Sequence, residues 1–215
     1  MPDSTALQIL DDISAVFRKL SAGVRLGIAR TPADFEAVYR LRYQTVIEKG
    51  WAKPDDYPGG LEHDQYDAHS IQLMAWDGDK LAGTARVVLP FPDKKLPAET
   101  LFELEIEPRG QVVELGRAAI DSAYKGSTQQ IFLGLLGQSW LSTREQELCE
   151  TCGVMIAPMV RLYRFIGFHL IPLAEPRLTW GEKRAPYQLD LSRTAERLQT
   201  QSKLFWKKLN RLAGS

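Results

Sequence analysis

The ionisable residues of this chain are unevenly placed, and one stretch concentrates them. Glu62-His63-Asp64-Gln65-Tyr66-Asp67 sets three acids and a tyrosine in six residues, after the Pro58-Gly59-Gly60 turn and before a strand-like run. Unpaired carboxylates are costly to desolvate, so such density in a folded domain calls for cationic partners. Arg42, Arg86 and Arg117 each stand inside an otherwise apolar stretch and are the candidates. The expectation is one ionic cluster straddling several elements. Its rival is a solvated acidic loop. Glu114, three residues before Arg117, is the only acid between Gln111 and Ile120. Raised in pKa by burial or held near Arg117, it could accept a proton directly or through water.

Other motifs carry less. Cys149-Glu150-Thr151-Cys152 lacks the second ligand pair a zinc site needs, and it follows a helix instead of opening one. Packing is its reading, with no metal site expected. His63, His69 and His169 show no ligand spacing. No phosphate-binding glycine loop, dinucleotide fingerprint or serine-hydrolase elbow occurs, so no bound cofactor is expected.

The elements that must position these residues follow from periodicity. Residues 5–21 space apolar side chains as a helix does, and a mixed polar face favours packing on the domain over a membrane. Thr31-Pro32-Ala33-Asp34 opens a second helix, running to about Tyr43 or a turn beyond. Residues 47–60 read as a long ordered loop, and Asp77-Gly78-Asp79 as a hairpin turn between His69–Trp76 and Lys80–Leu89. Leu81, Gly83, Ala85, Val87 and Leu89 are expected on one face of that second strand, with Arg86 on the other. Residues 91–110 look irregular, and Gln111–Ile120 is strand-like. A regular strand would turn Glu114 and Arg117 to opposite sides, whereas a bulge near Gly116 would bring them together. Then come a helix over Ser127–Cys149, a short strand over Gly153–Ala157, a helix over Met159–Phe165, strands over Phe168–Leu173 and Pro186–Leu191, and an amphipathic basic helix over 192–212. This alternation specifies one α/β domain spanning 1–215, a mixed sheet with helices on both faces.

Composition bounds the partners. The 215 residues are 44% hydrophobic and 25% charged with zero net charge, so nothing draws the chain globally to nucleic acid or membrane. No apolar run is long enough to span a bilayer, and the start lacks a signal pattern, so the expected location is cytoplasmic. The terminal helices could still touch a membrane peripherally.

Taken in order, Arg42-Tyr43-Gln44 with Trp51, Glu62-x-Asp64-x-x-Asp67, Gly83-Thr84-Ala85-Arg86 and Glu114-x-x-Arg117 resemble the signature of the acyl-homoserine lactone (autoinducer) synthases. LRYQTVIEKGW, DDYPGGLEHDQYDAHS, GTARVVLP, VELGRAAI, RLYRFIGFHLIPL and RAPYQLDL resemble more closely the PEP-CTERM/exosortase-system-associated acyltransferases, relatives of the long-chain N-acyl amino acid synthases. The resemblance covers about residues 34–208. It implies a GNAT-like fold with a bulged, splayed central strand, and transfer of a fatty acyl group from acyl carrier protein, as a phosphopantetheine thioester, to the amine of an amino-acid-like acceptor. It gives Glu114 as candidate base, Arg42, Asp64, Asp67, Arg86 and Arg117 as the charged cluster, and Trp51 near the acceptor. Arg42 and Arg86 read as salt-bridge partners that shape the loop. Lys125, Arg161 and Arg164 are assigned to the acyl-carrier side, the two arginines sharing a helix face away from Leu162 and Phe165. The chain departs from the pattern at Val46, Gly116 and Tyr124-Lys125-Gly126-Ser127. Two alternatives remain: a lactone synthase using S-adenosylmethionine, and a non-catalytic acyl-carrier or lipid-binding module.

Overall fold

A computed structural model describes residues 3–21 and 23–200. The elements run α1 (Ser4–Lys19), β1 (Arg25–Ile28), α2 (Pro32–Glu48), β2 (Ser70–Asp77), β3 (Lys80–Val88), α3 (Pro97–Phe102), β4 (Val112–Ile120), α4 (Thr128–Glu145), β5 (Glu150–Ile156), α5 (Ala157–Phe165), β6 (Leu170–Pro172), β7 (Arg177–Thr179), β8 (Glu182–Leu189) and α6 (Leu191–Thr200). The strands form one sheet in the order β1-β2-β3-β4-β5-β8-β6, with β7 on β8. Among the described residues only the β4–β5 pair is parallel, and its ladder covers Val112–Glu114 against Glu150–Cys152. Beyond Glu114 and Cys152 the two strands part, opening a wedge in the middle of the sheet.

Helices cover both faces. On one, Ile131 and Leu135 of α4 pack on Leu73, Val87 and Val113. Above them, α1 buries Leu10, Ile13 and Phe17 against α4, α5 and α6. Most of the apolar side of α1 is therefore taken up by packing on the domain, with Leu7, Ile9 and Val16 partly buried at its margin. On the opposite face, Val38 and Leu41 of α2 meet Met74, Leu81 and Ala119. Thr31 and Asp34 cap α2 reciprocally. Its buried stripe is Val38, Leu41, Arg42 and Val46, so an arginine holds a core position at helical spacing.

Several expectations need correction. A register shift between Ala75 and Trp76 leaves Ala82 unopposed, so Leu81 faces α2 and only the residues from Gly83 on follow the expected alternation. The loop over 91–110 contains α3, whose first residue is a proline and whose Glu99 side chain accepts from Leu96 N. Helix α2 reaches Glu48, α4 stops at Glu145, and β5 begins at Glu150. The β7–β8 hairpin was not expected at all. Its two-residue turn is Trp180-Gly181, both at positive φ (50° and 71°), in place of the usual Asn-Gly. The basic helix expected over 192–212 starts at Leu191, and its part beyond Thr200 lies outside the described residues.

Candidate active site

The acidic stretch is not a solvated loop. Glu62 and Asp67 are buried, as are Arg42 and Arg86. The six charged groups close a ring in which cations and anions alternate. Arg42 Nη1 donates to Asp67 Oδ1 at 2.7 Å, Arg86 Nη1 to Asp67 Oδ1 at 3.0 Å and to Asp64 Oδ1 at 2.6 Å, and Arg117 Nη2 to Asp64 Oδ2 at 2.9 Å. Arg117 Nε lies 3.2 Å from Glu62 Oε1, and Arg42 Nε donates to Glu62 Oε2, which closes the circuit. Gln72 Nε2 and the Asp64 backbone N–H also donate to Asp67. Burial opposes ionisation of Asp67, but the Arg42 hydrogen bonds and the Arg42 and Arg86 charges carry its pKa down to about 2. Asp64 is lowered in the same way, burial being overcome by Arg86 and Arg117. Arg42 is raised, its desolvation outweighed by Glu62 and Asp67. Three positive and three negative groups balance, so the ring fixes α2, the acidic stretch, β3 and β4 against one another without net charge.

Arg117 reaches the ring through a bulge. Arg86 pairs with Gly116 and Thr84 with Ala119, so Arg117 and Ala118 together oppose Ala85. The expected bulge is present, but the left-handed backbone belongs to Arg117 (φ 51°), one residue past Gly116. A non-glycine residue held there costs on the order of 1–3 kcal/mol, which the ring contacts offset.

Glu114 stands beside the ring rather than in it. Opposite Val88 in the ladder, it faces the same side of the sheet as Arg86, yet its Oε2 accepts from the backbone N–H of Ala98 at 2.7 Å, and it bonds to no residue of the acidic stretch. It is 6% exposed, packed among Val88, Ala98, Val112 and Cys152. Burial pushes its pKa up to about 7; the Ala98 N–H and the charges of Arg86 and Arg117 pull the other way without prevailing. Glu114 is the last β4 residue in register with β5, so it sits at the apex of the wedge. On the other face, an apolar cavity of about 30 Å³ reaches the same apex, lined by Leu115, Leu136, Trp140, Cys152, Met155 and Tyr163. Both cysteines are free; Cys152 is buried across the ladder from Glu114, and burial raises its thiol pKa.

The β7–β8 hairpin adds a second layer. Arg117 lies 4.1 Å from the Trp180 ring centroid, Trp180 and Trp51 are 6.4 Å apart, and Arg184 lies 4.4 Å from Trp51. Trp51 thus reaches the cluster through Trp180, whereas Glu62, Gln72, Ala98, Trp180 and Arg184 were not among the candidate residues. Only Glu62 had a sequence signal, its place in the acidic stretch. Lys125 lies on the turn that follows β4, exposed, while Arg161 and Arg164 are exposed on α5, which follows β5 directly. Both segments stand at the end of the sheet where β4 and β5 part. Helix α5 turns differently from expectation: Val160 and Tyr163 face inward, and Phe165 is 74% exposed beside the arginines. Among the described residues no group of histidine, cysteine, aspartate and glutamate is arranged to hold a metal, and no helix is long and apolar enough to cross a membrane.

Comparison with known proteins fits this geometry. Residues 41–134 match the family described as an acetyltransferase (GNAT) domain. No curated protein sequence matches the chain. Among solved structures, TofI in a ternary complex with an inhibitor and MTA superposes at a TM-score of 0.64 and 24% identity, covering 82% of this chain and 97% of that one. BjaI, a CoA-dependent acyl-homoserine lactone synthase, does so at 0.65 and 17%, covering 89% and 90%. FeeM, an N-acyl amino acid synthase from uncultured soil microbes, does so at 0.62 and 16%, covering 86% and 97%. At these identities the likeness is one of fold, and the fold is GNAT-like. With the domain match it supports an acyltransferase.

Proposed function

We propose that this chain is an N-acyltransferase that moves a fatty acyl group from acyl carrier protein to the amine of an amino-acid-like acceptor. Glu114 carries the reading. A carboxyl buried to 6% exposure, with a pKa near 7 and placed where β4 and β5 part, is poised to exchange a proton at neutral pH. An α-amino group has a pKa of about 7.7–8, so roughly a tenth is neutral at pH 7 and a modest base suffices. The amine nitrogen attacks the thioester carbon, the C–N bond forms and the C–S bond breaks. The amine proton passes to Glu114 and from there to the departing thiolate. Backbone N–H groups of β4 beyond the end of its ladder with β5 would stabilise the oxyanion.

The remaining candidates take supporting roles. The acyl tail would enter the apolar cavity, displacing its walls as it goes, and Met155 is the most pliable of them. Arg42, Arg86 and Asp67 hold the frame, while Asp64 and Arg117, the more exposed ring members, border the acceptor with Trp51. Lys125, Arg161 and Arg164 would meet the carrier. A second reading is a lactone synthase using S-adenosylmethionine, favoured by the superposition on TofI and BjaI, whose structures contain MTA.

The test is mass spectrometry of lipid extracts from cells expressing the chain. An N-acyl amino acid supports the first reading and an acyl-homoserine lactone the second. No new acylated product would leave the non-catalytic module.

A further inference from the structure

The charged ring has no cation to spare for an anionic acceptor. Arg42, Arg86 and Arg117 each answer two carboxylates of the ring, three charges against three. A fourth guanidinium next to it is placed differently. Arg184, on β8, lies 4.4 Å from the Trp51 ring centroid and 5.6 Å from that of Trp180, and its side chain is only 15% exposed. Its polar contacts are long: Nε to the Thr179 carbonyl at 3.3 Å, and Nη2 to Glu182 at 3.4 Å. Glu182 is itself 40% exposed, and a screened contact of that kind neutralises little. Burial lowers the Arg184 pKa; the Glu182 charge opposes this only in part, and the positive charge of Arg117 adds to it. The side chain has thus lost part of its hydration without gaining a matching anion.

The hairpin is built to hold this arrangement. A two-residue turn of this type takes asparagine or glycine most readily at its first central position, and here Trp180 occupies it at positive φ. The side chain so placed lies between Arg117 of the ring and Arg184 of the hairpin. A planar, weakly hydrated guanidinium backed by aromatic surface is well suited to grip a carboxylate with two parallel hydrogen bonds.

We propose that Arg184, seated against Trp51 and Trp180, is a specificity-determining residue that binds the anionic group of the acceptor, so that amines bearing a carboxylate are selected and cationic acceptors are disfavoured. This rests on the acyltransferase reading and deepens it. A cationic acceptor would meet Arg184 and Arg117 across aromatic surface that guanidinium groups already cover. Selection follows from charge as much as from shape.

The test pairs each of a panel of α-amino acids with its carboxamide, which keeps the amine and side chain and lacks the carboxylate. Acyl transfer from acyl carrier protein and from acyl-CoA is measured with the wild-type chain, Arg184→Met and Arg184→Lys. Wild type should prefer the acids. Arg184→Met should raise KM for the acids about 10- to 100-fold, leave kcat near wild type and leave the amides unchanged, with lysine restoring part of the loss. Unchanged rates on the amides also report that the variant folds. Equal losses on acids and amides, or a wild-type preference for amides, would overturn the assignment while leaving acyl transfer intact. If the wild type acylates neither set, the acyltransferase reading fails instead. Titration calorimetry of the same pairs then decides the role of Arg184: binding of acids lost in Arg184→Met upholds it, and equal binding overturns it.

Discussion

Above pH 7 Glu114 carries a charge that its surroundings stabilise less well than water would. Its pKa is about 7 in the folded chain against 4.5 in the open one, so the fold binds this proton more tightly than the unfolded chain does. The resulting stability is complete below about pH 4.5 and disappears as pH rises through 7, a loss of about 3 kcal/mol from 2.5 pKa steps. Asp64 and Asp67 work in the opposite sense: their pKa values are lowered, so the stability they confer is present above about pH 4 and is lost as pH falls toward 2. Thermal unfolding measured against pH should therefore peak near pH 4–5 and decline on both sides. A Tm that climbs steadily to pH 8 would contradict the buried state of Glu114. Glu114→Gln keeps an oxygen for the Ala98 N–H and removes the charge, so the variant should be more stable than wild type at pH 8. Its single-turnover acyl transfer should nonetheless fall about 10²–10⁴-fold, with partial recovery at high pH as the acceptor amine deprotonates unaided. An unchanged rate and pH profile would leave Glu114 without the base role. At this scale the sequence revealed the charges of the ring and their pairing but not the partner of Glu114. The acids of the 62–67 stretch and the three arginines were legible because isolated charges among apolar residues need each other. The Ala98 N–H was not, since a backbone donor leaves no mark in the side-chain sequence.

Strand register decides which of these groups meet, and register is where the sequence was least explicit. Gly116 invited the bulge because glycine permits unusual backbone, yet the positive φ falls on Arg117, whose side chain the ring fixes. The glycine that matters to the wedge is Gly153, where an added Cβ would lie 2.7 Å from the Leu115 carbonyl oxygen, backbone against backbone. Gly153→Ala should therefore force β5 away from β4 at a cost of about 1–3 kcal/mol and slow acyl transfer. At Gly116 an added Cβ meets nothing within 4 Å, so Gly116→Ala should stay within about 0.5 kcal/mol. Chemical denaturation of the two variants makes the comparison, and equal losses would mean that the wedge has been misplaced. The ring that ties these elements together offers a third check. Arg42→Met would leave three buried or half-buried acids to two arginines, with Glu62 and Asp67 each keeping one cation, and should cost about 3–5 kcal/mol by the same measurement. The β7–β8 hairpin escaped the sequence reading because Trp180 stands where asparagine, aspartate or glycine is usual before Gly181, and the short α3 because its six residues are too few for a helical period to show.

At the scale of the molecule, zero net charge means that an acidic carrier is not drawn to the chain as a whole, and any attraction has to be local. Lys125 follows β4, and Arg161 and Arg164 stand on the helix that follows β5, so the parting of the strands sets three exposed cations around the mouth through which a pantetheine arm would enter. Phe165, expected inside and found 74% exposed, gives that rim an apolar anchor. Charge and apolar contact respond differently to salt, which separates their contributions. Arg161→Glu with Arg164→Glu should weaken binding of acyl carrier protein roughly tenfold at low ionic strength, acting mainly on the association rate, and the difference should shrink as salt rises. Phe165→Ala should act on the dissociation rate instead and by a factor that salt hardly changes. Surface plasmon resonance across a salt series reads both rates directly. Affinity unaffected by the double reversal at low salt would remove α5 from the carrier surface. It would also leave the wedge to be served by a smaller thioester donor, one whose delivery needs no basic rim.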